Sequence, residues 1–92
     1  MEPVEVKTWS STVMVEQEDD VMLPCQHQLG SFITPSFWTF NGGALFSSER
    51  IQTDSSNNLI IRNVNWQDMG LYSCHLGDGG EVATFLYPLA TV

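Results

Sequence analysis

The chain has 92 residues, 42% of them apolar, and a formal net charge of −8 from 11 acids against three bases, Lys7, Arg50 and Arg62. That length is one small domain, with a core marginal enough to profit from a covalent staple. The charge repels phosphate backbones and anionic bilayers, which excludes nucleic acid as a partner. No apolar run reaches the roughly 18 residues that span a bilayer, so direct membrane insertion of this domain is excluded as well.

Helical periodicity is nearly absent, and short period-2 runs separated by Gly, Asn, Asp, Ser and Pro take its place. Residues 4–9 and 13–15 form a first edge segment, broken at Ser10-Ser11. The acidic run Glu16-Gln17-Glu18-Asp19-Asp20 lies between apolar segments and reads as a solvated turn rather than a metal site. A strand over 21–26 places Val21, Leu23 and Cys25 on one face, and a strand over 37–41 stops at Asn41-Gly42-Gly43, which tolerates positive φ. Residues 44–46 are a short edge strand and 50–53 a brief one, followed by the turn Asp54-Ser55-Ser56-Asn57-Asn58. In the strand over 59–64, Leu59 and Ile61 point inward while Ile60 and Arg62 point outward. Residues 71–76 and 82–89 make a last hairpin around Gly77-Asp78-Gly79-Gly80. Eight or nine strands at this spacing describe an all-β antiparallel sandwich of two sheets.

Cys25 and Cys74 each sit centrally in an inward-facing strand, far apart in sequence. Two such cysteines in a small all-β chain are expected to pair across the sandwich. The bond would close a loop of about 50 residues, worth about 4 kcal/mol on the entropic account, and would imply an oxidising compartment. The alternative is two buried free thiols. Trp38, in the middle of its strand, has the bulk to fill the space beside an inter-sheet disulfide.

The set Cys25, Trp38, Leu59 and Asp68-x-Gly70-x-Tyr72-x-Cys74 resembles the immunoglobulin superfamily over essentially the whole chain. The resemblance implies a Greek-key sandwich in which Gly70 lets the loop pass tightly into the strand and Tyr72 sends its hydroxyl back to the loop as a tyrosine corner. It also implies that Arg50 holds Asp68 in a partly buried bidentate pair, with an exposed and weak pair as the alternative. The split first segment and the short span from Trp38 to Cys74 are similar to the intermediate set. Ser36, two before Trp38, departs from the family's inward aliphatic residue; Phe40 or Ile33 is expected to fill that gap. The last strand lacks the Phe/Trp-Gly-x-Gly bulge of antigen-receptor domains. Trp38-Thr39-Phe40-Asn41-Gly42-Gly43, Glu49-Arg50 and Asn58-Leu59-Ile60-Ile61 are similar to the immunoglobulin domain that follows the propeller in semaphorins.

No catalytic constellation emerges, so no enzyme activity and no cofactor are expected. His75 directly follows Cys74 and so faces away from it, and His27, two residues after Cys25, is the one other histidine. Four ligands at compact spacing are lacking, so neither a zinc site nor a Cys–His nucleophile is expected. The glycine run at 77–80 carries no lysine and opens no helix, so it reads as a hairpin turn. No Asn-x-Ser/Thr sequon occurs, which leaves every face free of N-linked glycan and favours slightly an intracellular setting.

Binding remains. On the sheet carrying Trp38 and Cys74, parity turns Phe37, Thr39, Ser73 and His75 outward, with Phe85 and Tyr87 joining them or entering the core according to register. Phe37, Thr39, His75 and Tyr87 are the candidate protein-binding residues; the alternative is that a loop or an adjoining domain covers Phe37. Trp66 is expected to cap one end of the core, and Trp9 to pack on a neighbouring domain. Met1 precedes Glu-Pro-Val-Glu without the basic and apolar regions of a secretory leader. The chain over 1–92 is therefore expected to be one domain of a longer extracellular or cell-surface protein, or else cytosolic. Its partners would be another protein or neighbouring domains of the same chain. Two roles fit: a non-catalytic recognition module in adhesion, guidance or receptor function, and a structural spacer in a matrix or cytoskeletal array.

Overall fold

The computed structural model describes residues 8–25, 36–77 and 79–89. Expectations for residues 4–7, Gln26, His27, Ile33 and Asp78, and for the Trp9 side chain, lie outside the described residues. Two sheets face one another. The larger joins β1 (Thr8–Glu16), β3 (Ser36–Phe40), β4 (Gly43–Ala44), β7 (Gly70–Leu76) and β8 (Glu81–Leu89) in the order β1-β8-β7-β3-β4. The smaller joins β2 (Val21–Leu23), β5 (Ile51–Thr53) and β6 (Leu59–Ile61) in the order β2-β6-β5. All pairings are antiparallel except β1 with β8, which run parallel from Thr8↔Glu81 to Glu16↔Leu89.

Alternation writes the core. Leu23 and Cys25 from the β2 segment and Leu59 and Ile61 from β6 meet Trp38, Tyr72, Cys74, Val82 and Leu86 of the larger sheet, all buried. Cys25 and Cys74 form the disulfide that joins the two sheets, with Cα atoms 5.3 Å apart. Trp38 is buried in the same cluster, and its indole Nε1–H donates to the carbonyl of Asn57 at 2.8 Å. An indole can be buried at small cost only when its single donor is satisfied.

Four strands differ by more than one residue from the sequence expectation, and the first is β2, which ends at Leu23 before Pro24 and leaves Cys25 just beyond the strand rather than central in it. β1 runs unbroken through Ser10 and Ser11, because its whole length is laddered to β8; Ser11, on the inner side, spends its hydroxyl on Thr84 at 3.3 Å. β4 is limited to Gly43–Ala44 and does not reach Phe46. β6 stops at Ile61, and Asn63 adopts φ +52°, which no ladder accommodates.

Candidate recognition surface

The corner before β7 fixes the orientation of everything on that strand. The 3₁₀ turn η1 (Trp66–Asp68) is capped by Asn65, whose Oδ1 accepts from Gln67 N while the Asp68 carboxylate accepts from Asn65 N. Tyr72 Oη donates to the Asp68 carbonyl at 2.7 Å. Arg50 grips the Asp68 carboxylate with two parallel bonds, Nη1 to Oδ2 and Nη2 to Oδ1, each 3.0 Å, and Nη1 also donates to the carbonyls of Arg62 and Asn63. The hydrogen bond to Asp68 raises the Arg50 guanidinium above its ordinary value. Burial first, then the Asp68 charge, drive the Tyr72 phenol far above its ordinary value, with Arg50 opposing. Gly70 has φ +155°, and a Cβ there would lie 2.5 Å from the Phe40 ring and 2.7 Å from Asn41 Oδ1, so only glycine passes. The space is used: Asn41 Oδ1 accepts from Leu71 N, and the Phe40 ring sits 4.7 Å from that of Tyr72.

The other end is braced through the β5–β6 turn. Asp54 accepts from Ser56 N, Asn58 N and Asn58 Nδ2, and these bonds, that from Asn58 N foremost, hold its carboxyl below the ordinary range. Asn58 Oδ1 in turn accepts from Cys25 N. Ser36 is no gap. Its Oγ accepts from Asn57 Nδ2 at 2.6 Å and its hydroxyl approaches Cys25 Sγ at 3.4 Å, so a polar tie stands where an aliphatic side chain was missed. Phe40, half-buried, packs on the core from two residues further on.

With both ends fixed, the outward face of the larger sheet is laid out by register. Phe37 lies opposite His75, and His75 opposite Glu81. The Phe37 and His75 rings stack at 4.9 Å with 17° between planes; His75 Nε2 is 2.9 Å from Thr39 Oγ1, and Nδ1 is 3.7 Å from Glu81 Oε1. Phe37 is 62% exposed. Phe85 and Tyr87 both face outward, since Val82, Thr84, Leu86 and Pro88 take the inward positions of β8; Ala83 shares their outward parity but is buried as well. Neither joins the Phe37–His75 pair. Leu71 lies opposite Phe85, four residues along from His75, so Tyr87 stands roughly 20 Å down the strand from Glu81. Its neighbours are instead Met14, directly across on β1, and Leu89. Ser73 faces outward but is only 5% exposed, because a short side chain on the central strand is overtopped by Leu71 and His75 on either side. Trp66 is 56% exposed and does not cap the core; Val64, fully buried, closes that end.

Sequence reasoning missed Met14, Leu71 and Leu89. Their period-2 parity was visible, but the parallel pairing that sets β1 beside β8 was not. A second feature is a groove of about 180 Å³ between β3–β4 and β5, lined by apolar side chains such as Trp38, Leu45 and Ile51 and by polar ones such as Ser36, Thr53 and Asn57. Among the described residues no group of three or more His, Cys, Asp or Glu side chains is placed to hold a metal ion, and no helix is long and apolar enough to cross a membrane.

The immunoglobulin domain family model matches residues 2–76. The Zwei Ig domain protein zig-2 of Caenorhabditis elegans is 37% identical, over 74% of this chain and 29% of its own length. The cell adhesion molecule Dscam1 of Drosophila melanogaster is 27% identical, over 79% of this chain and 4% of its own. The crystal structure of the N-terminal four domains of Dscam1 isoform 8.4 superposes with a TM-score of 0.78 at 23% identity, covering 99% of this chain and 25% of that one. Domain I10 of titin superposes at 0.73 with 23% identity, covering 86% of this chain and 90% of that domain. The chain thus spans less than a third of the full length of zig-2 and a far smaller share of Dscam1.

Proposed function

The chain belongs to the immunoglobulin domain family, and from that premise we infer that it is a non-catalytic recognition module of a longer extracellular or cell-surface protein. Its contact surface is the outward face of the five-stranded sheet. One observation carries this reading: of the eight large apolar side chains exposed among the described residues, five (Met14, Phe37, Leu71, Tyr87 and Leu89) share that single face. Scattered apolar residues are ordinary on a monomer's surface, but concentration on one face marks a contact. Phe37 stacked on His75 is an aromatic anchor of the kind that dominates binding energy. The name of one relative agrees, since Dscam1 is a cell adhesion molecule.

The test uses the 92-residue chain, multimerised on beads and scored for adherence to cell surfaces. Phe37→Ala and His75→Ala are expected to reduce adherence at least about fivefold; undiminished adherence by both removes these residues from the contact. The likeness to titin domain I10 supports a second reading, a structural spacer in a tandem array. Thiol titration of the natural protein, denatured but not reduced, separates the two. No free thiol at Cys25 and Cys74 favours the extracellular module, and two free thiols favour a spacer in a reducing compartment.

A further inference from the structure

We propose that the lower half of this face, the stripe Met14–Leu71–Phe85–Tyr87–Leu89, docks a protein surface that presents an apolar knob set among lysine or arginine side chains. The proposal rests on reading the outward face as a contact surface and goes further by naming the part used and the chemistry it selects.

The register assembles the stripe. Met14 and Tyr87 are paired across β1–β8, Glu16 and Leu89 are paired two residues on, and Leu71 and Phe85 are paired across β7–β8. Met14 is 68% exposed, Leu71, Tyr87 and Leu89 are also exposed, and Phe85 is half-buried between them as a floor. Tyrosine and methionine are side chains that interface cores favour, one rigid and amphipathic, the other deformable.

Charge selects the occupant. Glu16 borders the stripe beside Leu89, and Glu18, Asp19 and Asp20 follow in the exposed turn directly after β1. None of the five strands of this sheet contains a lysine or an arginine. The two described bases belong to the other sheet: Arg50 precedes β5 and is committed to Asp68, and Arg62 follows β6. A second copy of the chain would bring the same carboxylates and, among the described residues, no lysine or arginine on its matching face, so self-docking opposes like charges. A partner with apolar centre and basic rim meets both features at once, and the net charge of −8 steers it in.

The test follows backbone amide shifts of the isotope-labelled 92-residue chain on addition of a synthetic amphipathic peptide with one leucine face and one lysine face. A leucine–glutamate peptide is the control. Shifts are expected at residues 12–16, 71 and 85–89, weakened severalfold by raised salt, and absent with the control. Tyr87→Ala, and independently Met14→Ser, should weaken binding at least about fivefold; both sites are exposed, and an unchanged spectrum elsewhere verifies folding. Shifts confined to the acidic turn and indifferent to both substitutions overturn the proposal. So does the absence of any shift, or shifts on this face that grow with the chain's own concentration without peptide, which would make the occupant a second copy. In the bead assay, a neutral Tyr87→Ala beside an impaired Phe37→Ala removes the stripe and leaves the recognition surface standing.

Discussion

Tyr72 is the residue on which most of this geometry turns. It is fully buried, its ring lies against Phe40, and its hydroxyl closes the loop that Arg50 and Asp68 hold. Tyr72→Phe keeps the ring and removes one hydrogen bond, so it should cost about 1 kcal/mol near neutral pH. The cost should depend on pH in a particular direction. The folded phenol is held neutral far above its ordinary value, whereas the unfolded chain releases that proton near pH 10. Above about pH 10 the folded state therefore binds the extra proton, and stability falls with rising pH by up to about 1.4 kcal/mol per unit. The variant lacks that loss. Urea midpoints of the two proteins are expected to converge as pH rises above about 10, and midpoint curves that stay parallel would show that burial of this hydroxyl is not what the alkaline limb reports.

At the scale of elements, the disulfide and the register divide the labour. Cys25 follows β2 and Cys74 lies within β7, so the bond clamps the smaller sheet to the larger across a sequence separation of 49. Cys25→Ala combined with Cys74→Ala should lower stability by about 4 kcal/mol on the entropic account, read as a lower urea midpoint. No change on reducing the wild type would show that the clamp contributes nothing. This pairing, and the inward set Leu23, Leu59 and Ile61, were legible in the sequence because alternation at period 2 is a local rule. What was not legible came from non-local choices. That Tyr87 neighbours Met14 and not His75 depends on the register of the β7–β8 hairpin and on β1 joining β8 in parallel, and neither leaves a mark in residue order. Ser73 and Trp66 show the same limit, since parity and bulk gave their direction, but exposure depends on what stands beside them. The candidate face was therefore readable as a face, and its division into a Phe37–His75 end and a Met14–Tyr87 end was not.

For the whole molecule the dominant quantity is charge. Eleven acids against three bases leave a net −8 on 92 residues, and such a surplus repels itself when the chain compacts. Part of the repulsion is local, for Glu16, Glu18, Asp19 and Asp20 share one turn. The Arg50–Asp68 pair opposes it, and with Asp68 buried, salt should screen that attraction less than the repulsion among the exposed carboxylates. Raising ionic strength from about 0.01 M to about 0.15 M shortens the screening length from about 30 Å to about 8 Å. The net effect should be stabilisation, seen as a rising urea midpoint with added sodium chloride. Glu18→Gln with Asp19→Asn removes two of these charges while their backbone bonds to Val64 and Glu16 persist. That double variant should be more stable than the parent in low salt, flatten the salt response, and merge with it at high salt. The same substitutions should weaken attraction of a basic partner to the neighbouring stripe, so stability and binding move in opposite directions. A midpoint that falls with salt would mean that attractive pairs, not the acidic surplus, govern this domain's electrostatics.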